Sequence, residues 1–203
     1  MKSLSRTTLV LLLIAFALLN CRSTVEVYRY QYDTTLDRVF VKQGADFSKY
    51  NSVMVDQLSV WYPSEYEPSQ ENAALVQANL ARAQGMFRES VANALADRYP
   101  VVTKAGKNTL RIHVEFVDLR AVPDDAKIPA DLSRYEFKVQ PGHITMIGWL
   151  FDSVSGEKLA RAADQGKQKS VGGFGRVDWQ AIAADFDYWA QVFSAWLDQV
   201  HEK

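Results

Sequence analysis

The 203-residue sequence has one cysteine, Cys21, and only three histidines, His113, His143 and His201. A lone cysteine excludes any disulfide within the chain. The histidines show no short metal spacing such as His-x-x-x-His, and metal ligands must converge with defined geometry, so no metal site and no cofactor is expected. Charge of one sign is missing as well. The 23 Lys and Arg residues against 24 Asp and Glu give a net charge of −1, which leaves no basic field to recruit nucleic acid. No Gly-x-Ser-x-Gly elbow presents a nucleophile. The glycines at 172, 173 and 175 are not followed by Gly-Lys-Ser/Thr, so they do not form a phosphate-binding loop. Flexible loop with solvated cations is the reading favoured for that segment. Internal repeats and low-complexity tracts are also absent. What remains is 48% hydrophobic and 12% aromatic, the composition of a globular chain rather than a disordered one.

Long apolar runs are scarce too. Leu9 to Leu19 is an unbroken stretch of 11 apolar residues, short of the ~20 that a spanning helix needs. It follows Lys2 and Arg6 and ends at Asn20-Cys21, the charged-then-apolar order of a secretory signal. The segment resembles a bacterial lipoprotein signal peptide, with Leu18-Leu19-Asn20-Cys21 in the place of the lipobox. Asn20 departs from the usual Gly, Ala or Ser. The resemblance implies that Cys21 becomes the first mature residue and carries a thioether-linked diacylglycerol and an N-acyl group. Several acyl chains matter, because one chain anchors only reversibly at ~0.8 kcal/mol per buried methylene. Arg22, where aspartate would signal inner-membrane retention, implies an outer-membrane protein facing the periplasm. The alternatives are an ordinary signal peptide with a free cysteine near the cut, and an uncleaved anchor.

Cleavage would leave 183 residues with 21 cations and 24 anions, enough for one domain with a proper core. The expected division is a signal peptide over 1–20, an N-terminal tether or docked extended segment over 21–47, and an α+β domain over 48–203. Tyr28, Tyr30 and Tyr32 alternate with Arg29 and Gln31, a period of two that suits a strand or extended segment docked on the domain or a partner.

A strand is predicted over 52–61, with Val53, Val55, Leu58 and Val60 among its apolar members. Ser69 is the expected N-cap of a helix over about 70–97, because Val76, Leu80, Ala83, Phe87, Val91 and Leu95 recur on one helical face. A second strand over 109–117 alternates cleanly, with Leu110, Ile112, Val114 and Phe116 on one side. The third, over 143–151, is apolar on both sides: Ile144, Met146 and Leu150 on one, Ile147, Trp149 and Phe151 on the other. A turn at 152–157 leads to a fourth strand near 158–165. Asp178 is the expected N-cap of a last helix carrying Ile182, Phe186, Trp189, Phe193, Leu197 and Val200. These elements predict an α+β two-layer sandwich, with about four strands in a mixed sheet and two long helices packed on one face.

Most of residues 47–202 resembles a bacterial lipoprotein family known only as domain of unknown function 3313. The matching stretches are Phe47-Ser48-Lys49-Tyr50 with Val55-Asp56, Leu110 to Val114, Asp152 to Glu157, and Trp179 to Trp196. The resemblance implies an envelope context and brings no activity and no catalytic residues.

Among candidate sites, Asp152 and Glu157 flank the predicted turn, where an aspartate capping its own backbone is the favoured reading over a carboxylate pair. Trp179, Trp189 and Trp196 read as core. The 23-residue connection Arg120 to Gly142 exceeds the ~12–15 residues beyond which loops tend to be functional or disordered. The surplus apolar row Ile147, Trp149 and Phe151 is the candidate binding surface, since a face not covered by helices needs another cover. The leading expectation is a non-enzymatic envelope lipoprotein that binds a protein partner, a peptide or an apolar ligand and meets the membrane through lipidated Cys21. The alternatives are an envelope hydrolase with a dispersed active site and a structural oligomeric module.

Overall fold

The computed structural model describes residues 26–32, 34–61, 70–96, 98–117, 143–169 and 177–202. Cys21, Ser69, the 120–142 connection and the glycines at 172–175 lie outside the described residues. The elements are β1 (Tyr28–Tyr30), β2 (Arg38–Lys42), β3 (Ser52–Val55), β4 (Ser59–Trp61), α1 (Gln70–Leu95), β5 (Val101–Val102), β6 (Thr109–Val117), β7 (His143–Asp152), β8 (Lys158–Lys169) and α2 (Trp179–His201).

The expectation of about four strands is corrected to an eight-stranded mixed sheet. Its order is β1-β2-β8-β7-β6-β3-β5, with β4 also paired to β6. The predicted strand over 52–61 is split into β3 and β4, both parallel to β6. The break is held by the Gln84 side chain, which accepts from the Leu58 amide and donates to the Asp56 carbonyl at 3.1 Å. β1 falls in the 28–32 segment whose period of two suited a strand or extended segment, whereas sequence periodicity did not yield β2 and β5. β2 pairs antiparallel with β8, and β1 with β2, so the segment ahead of residue 47 extends the sheet.

Both helices follow from their apolar stripes. Ala83, Phe87, Val91 and Leu95 of α1 are buried, as are Ile182, Phe186, Trp189 and Leu197 of α2. They join Val53, Val55, Leu110, Ile112, Val114 and Phe116 in one core. Phe186 stacks on Phe116 at 5.5 Å and meets Phe87 edge-on at 5.4 Å. Asp178 caps α2 as expected, accepting from the amides of Gln180 at 3.0 Å and Ala181 at 3.1 Å. The helices run parallel. Arg82 lies over Trp179, Ser90 bonds Asp187 at 2.6 Å, and Arg98 contacts Asp198.

A candidate apolar groove between the last helix and the sheet

The sheet is wider than the two helices can fill. Where α2 overhangs β2, β8 and β7, the floor is built from Val39, Val41, Gly148, Leu150, Ala160 and Ala162. Their register explains the shape, because Val39 lies beside Ala162 and Ala162 beside Gly148, while Val41 lies beside Ala160 and Ala160 beside Leu150. Two alanines and a glycine in neighbouring positions keep the floor low. The wall is aromatic and aliphatic: Trp189, Val192, Phe193, Trp196 and Val200 of α2. The space between them is about 770 Å³, within the range of small-molecule pockets, which run from ~300 to ~1,000 Å³. Gln31, Thr34, Thr35, Gln191 and Gln199 supply neutral polar groups to the lining.

One end of the groove is fixed by buried carboxylates. Trp189 donates from Nε1 to Asp164 Oδ2 at 2.7 Å. The other oxygen, Oδ1, accepts from the Asp37 amide at 2.9 Å and lies 3.6 Å from Lys167 Nζ. In return Asp37 Oδ2 accepts from the Gln165 amide at 3.1 Å. This reciprocal pair sits where the β2–β8 ladder begins at Arg38 and Ala163. Asp164 has no solvent exposure. Burial pushes its carboxyl above the usual carboxylate value, against the opposing pull of the Trp189 indole and the Asp37 amide.

One turn earlier on α2, Asp185 is also buried and accepts from the Lys167 amide at 2.9 Å. Gly166 lets that approach happen, because a Cβ there would collide with the Asp185 carboxylate and with Ile144. Both carboxylates therefore accept from a backbone amide, and Asp164 also accepts from the Trp189 indole.

The predicted surface row lies on the opposite face of the sheet. Ile147 is buried, while Trp149 and Phe151 are half-buried. They belong to a band in which Tyr30, Phe40, Arg161, Trp149 and His113 occupy successive registers across five strands. The Arg161 guanidinium lies 4.6 Å from the Phe40 ring, His113 lies 5.4 Å from Trp149, and Arg111 lies 4.7 Å over Phe151. The Arg161 and Arg111 guanidinium groups thus cover aromatic faces there, an arrangement favoured by the ring quadrupole. Tyr28 joins the band through Lys158, whose carbonyl accepts from its hydroxyl at 3.0 Å.

The remaining candidates are dispersed. His113 lies 3.5 Å from Asp56, His143 meets the Gly166 carbonyl at 2.9 Å, and His201 meets the Leu197 carbonyl at 2.8 Å. Among the described residues, no group of three or more His, Cys, Asp or Glu side chains is placed to hold a metal. Asp152 takes the turn role, accepting through Oδ1 from the amides of Val154 and Ser155 at 3.0 and 2.8 Å. Glu157 instead pairs with Lys42 at 2.9 Å. Sequence reasoning missed the groove. Its only signal was a set of small residues, Gly148, Ala160 and Ala162, inside strands where bulky residues are the norm.

The fold is thus an α+β domain in which, among the described residues, two helices cover only part of a large mixed sheet. The chain belongs to the family described as protein of unknown function DUF3313, whose profile matches residues 31–193. No curated protein matches the sequence. Among solved structures, the chain is similar to a PelC variant from Paraburkholderia phytofirmans, solved as a dodecamer. That pair shares 10% identity at a TM-score of 0.41, over 77% of this chain and 95% of that one. It is also similar to a DUF4136 family protein from Bacteroides thetaiotaomicron, at 10% identity and a TM-score of 0.40, over 84% and 97% of the two chains. Among the described residues, no helix is long and apolar enough to cross a membrane.

Proposed function

We propose that this chain is a non-enzymatic envelope lipoprotein, anchored through Cys21 to the outer membrane and facing the periplasm, whose working surface is the groove beneath α2. The groove is the observation that carries the reading. It is elongated, apolar and open beside partly exposed Phe193, Trp196 and Val200, as a binding site for an apolar partner would be. A hydrolase reading finds less support. Asp164 has each of its oxygens engaged, by the Trp189 indole on one side and the Asp37 amide on the other. The anchor reading rests on the charged start, the 11-residue apolar run and the position of Cys21.

Two measurements test the two halves separately. Cys21→Ser is expected to abolish incorporation of labelled palmitate and to release the chain from the membrane fraction; persistent labelling overturns the anchor. For the groove, a small apolar carbene label, a trifluoromethylphenyl diazirine, is expected to mark the 189–200 stretch of the full chain. Gly148→Leu places a side chain in the space, where its Cβ would meet nothing within 4 Å. That variant should lose the mark. Equal labelling in both overturns the groove as a binding site.

A further inference from the structure

Resting on that reading of the groove, we propose that its occupant is a single acyl chain of a membrane phospholipid. Two observations select an alkyl chain over an extended peptide.

The first is the absence of backbone partners along the floor. β8 is paired on both sides, by β2 and β7, and β7 is paired by β8 and β6. An extended peptide laid there would bring amides and carbonyls that need hydrogen bonds and would find no free strand edge to supply them. An alkyl chain makes no such demand.

The second is charge. Among the described residues that line the groove, Arg161 alone is charged, and its guanidinium lies over Phe40 on the other face of the sheet. The neutral rim of Gln31, Thr34 and Gln199 leaves an ionic headgroup no reason to enter, so the headgroup stays outside while the tail is buried.

The test uses the full chain reconstituted in nanodiscs of phosphatidylethanolamine that contain a fraction with a diazirine in the palmitoyl chain. After irradiation and digestion, adducts are expected on the β8 peptide spanning Ala160 to Ala162 and on the α2 peptide spanning Val192 to Val200. Gly148→Leu and Ala162→Leu should each reduce them at least ten-fold, with circular dichroism confirming that both variants fold. The chain's own lipid carries no diazirine in this experiment. Adducts that appear only in Cys21→Ser would therefore assign the groove to the lipid on Cys21 and overturn the phospholipid proposal. Absence of groove adducts in both chains, with the small carbene label still marking 189–200, would overturn the acyl chain and leave the groove standing as a site for another partner.

Discussion

Tyr50 donates its hydroxyl hydrogen to Asp152 Oδ2 at 2.9 Å, across 102 residues of sequence. The contact ties the entry to β3 to the β7–β8 turn, two of the stretches that carry the family resemblance. Asp152 accepts four hydrogen bonds, chiefly from the Ser155 amide and also from the Tyr50 hydroxyl, the Val154 amide and the Ser155 hydroxyl, and against the opposing effect of burial these lower its carboxyl to about 2 from an ordinary 3.8. Tyr50→Phe is expected to cost about 1 kcal/mol in urea unfolding, the net worth of a typical buried hydrogen bond. The sign with pH follows from a depressed carboxyl. Its stabilisation is fully present above the unfolded value of 3.8 and is lost as pH falls toward about 2. Tyr50→Phe should therefore lose less stability than the wild type between pH 4 and pH 2. Parallel acid titrations would contradict this.

Gly166 is a glycine by necessity of close approach. A methyl group there meets the Asp185 carboxylate and the Ile144 side chain. Gly166→Ala is expected to destabilise by about 1–3 kcal/mol, the usual cost of overpacking. The same change in an Asp185→Ala background should cost less, with the Ile144 contact remaining. A double-mutant cycle by urea unfolding measures the difference, and zero coupling would locate the strain elsewhere.

Helix α1 ends on a residue in the left-handed region, Ala96 at φ 47°. For an L-residue other than glycine, that conformation costs roughly 1–2 kcal/mol. Ala96→Gly is expected to raise stability by about 1 kcal/mol, read as a higher urea midpoint with unchanged slope. A loss of stability would mean that the methyl group's packing outweighs the strain.

The parts of this fold that were legible in the sequence are those with one buried side. Leu110, Ile112, Val114 and Phe116 alternate because β6 is buried toward the helices and half-exposed at Arg111, His113 and Glu115. The stripes of α1 and α2 follow from the same one-sided burial, as does the Asp178 cap. β2 escaped because Arg38–Lys42 presents Val39 and Val41 to the groove and Phe40 to the other face, so no alternation marks it. β5 is only two residues long, too short for any period. The groove itself joins Val39 to Ala162, Gly148 and Trp189, residues brought together only by strand order. Phe193 and Trp196 read as core because a periodic stripe cannot tell a packed aromatic from one that walls a cleft.

Trp189 links the groove to the buried carboxyl of Asp164, and the pair makes a prediction with an internal control. Trp189→Phe removes the 2.7 Å donor and leaves a fully buried carboxylate short of a partner, a loss of about 1–3 kcal/mol. The folded-state value of Asp164 is already raised above 3.8 by burial, and the indole bond opposes that rise. Its loss pushes the value further up. For an acid raised in the folded state, folding binds the proton more tightly, so stability declines as pH climbs from 3.8 through the folded value. The deficit of Trp189→Phe should therefore be larger at pH 7 than at pH 4, where the folded carboxyl keeps more of its proton. Asp164→Asn removes the ionisation while keeping an oxygen that accepts from the indole. Added to Trp189→Phe, it should erase the pH dependence of the deficit. If urea midpoints show the same deficit at both pH values in the single variant, the cost of losing Trp189 is packing alone and the carboxyl is not what the indole controls.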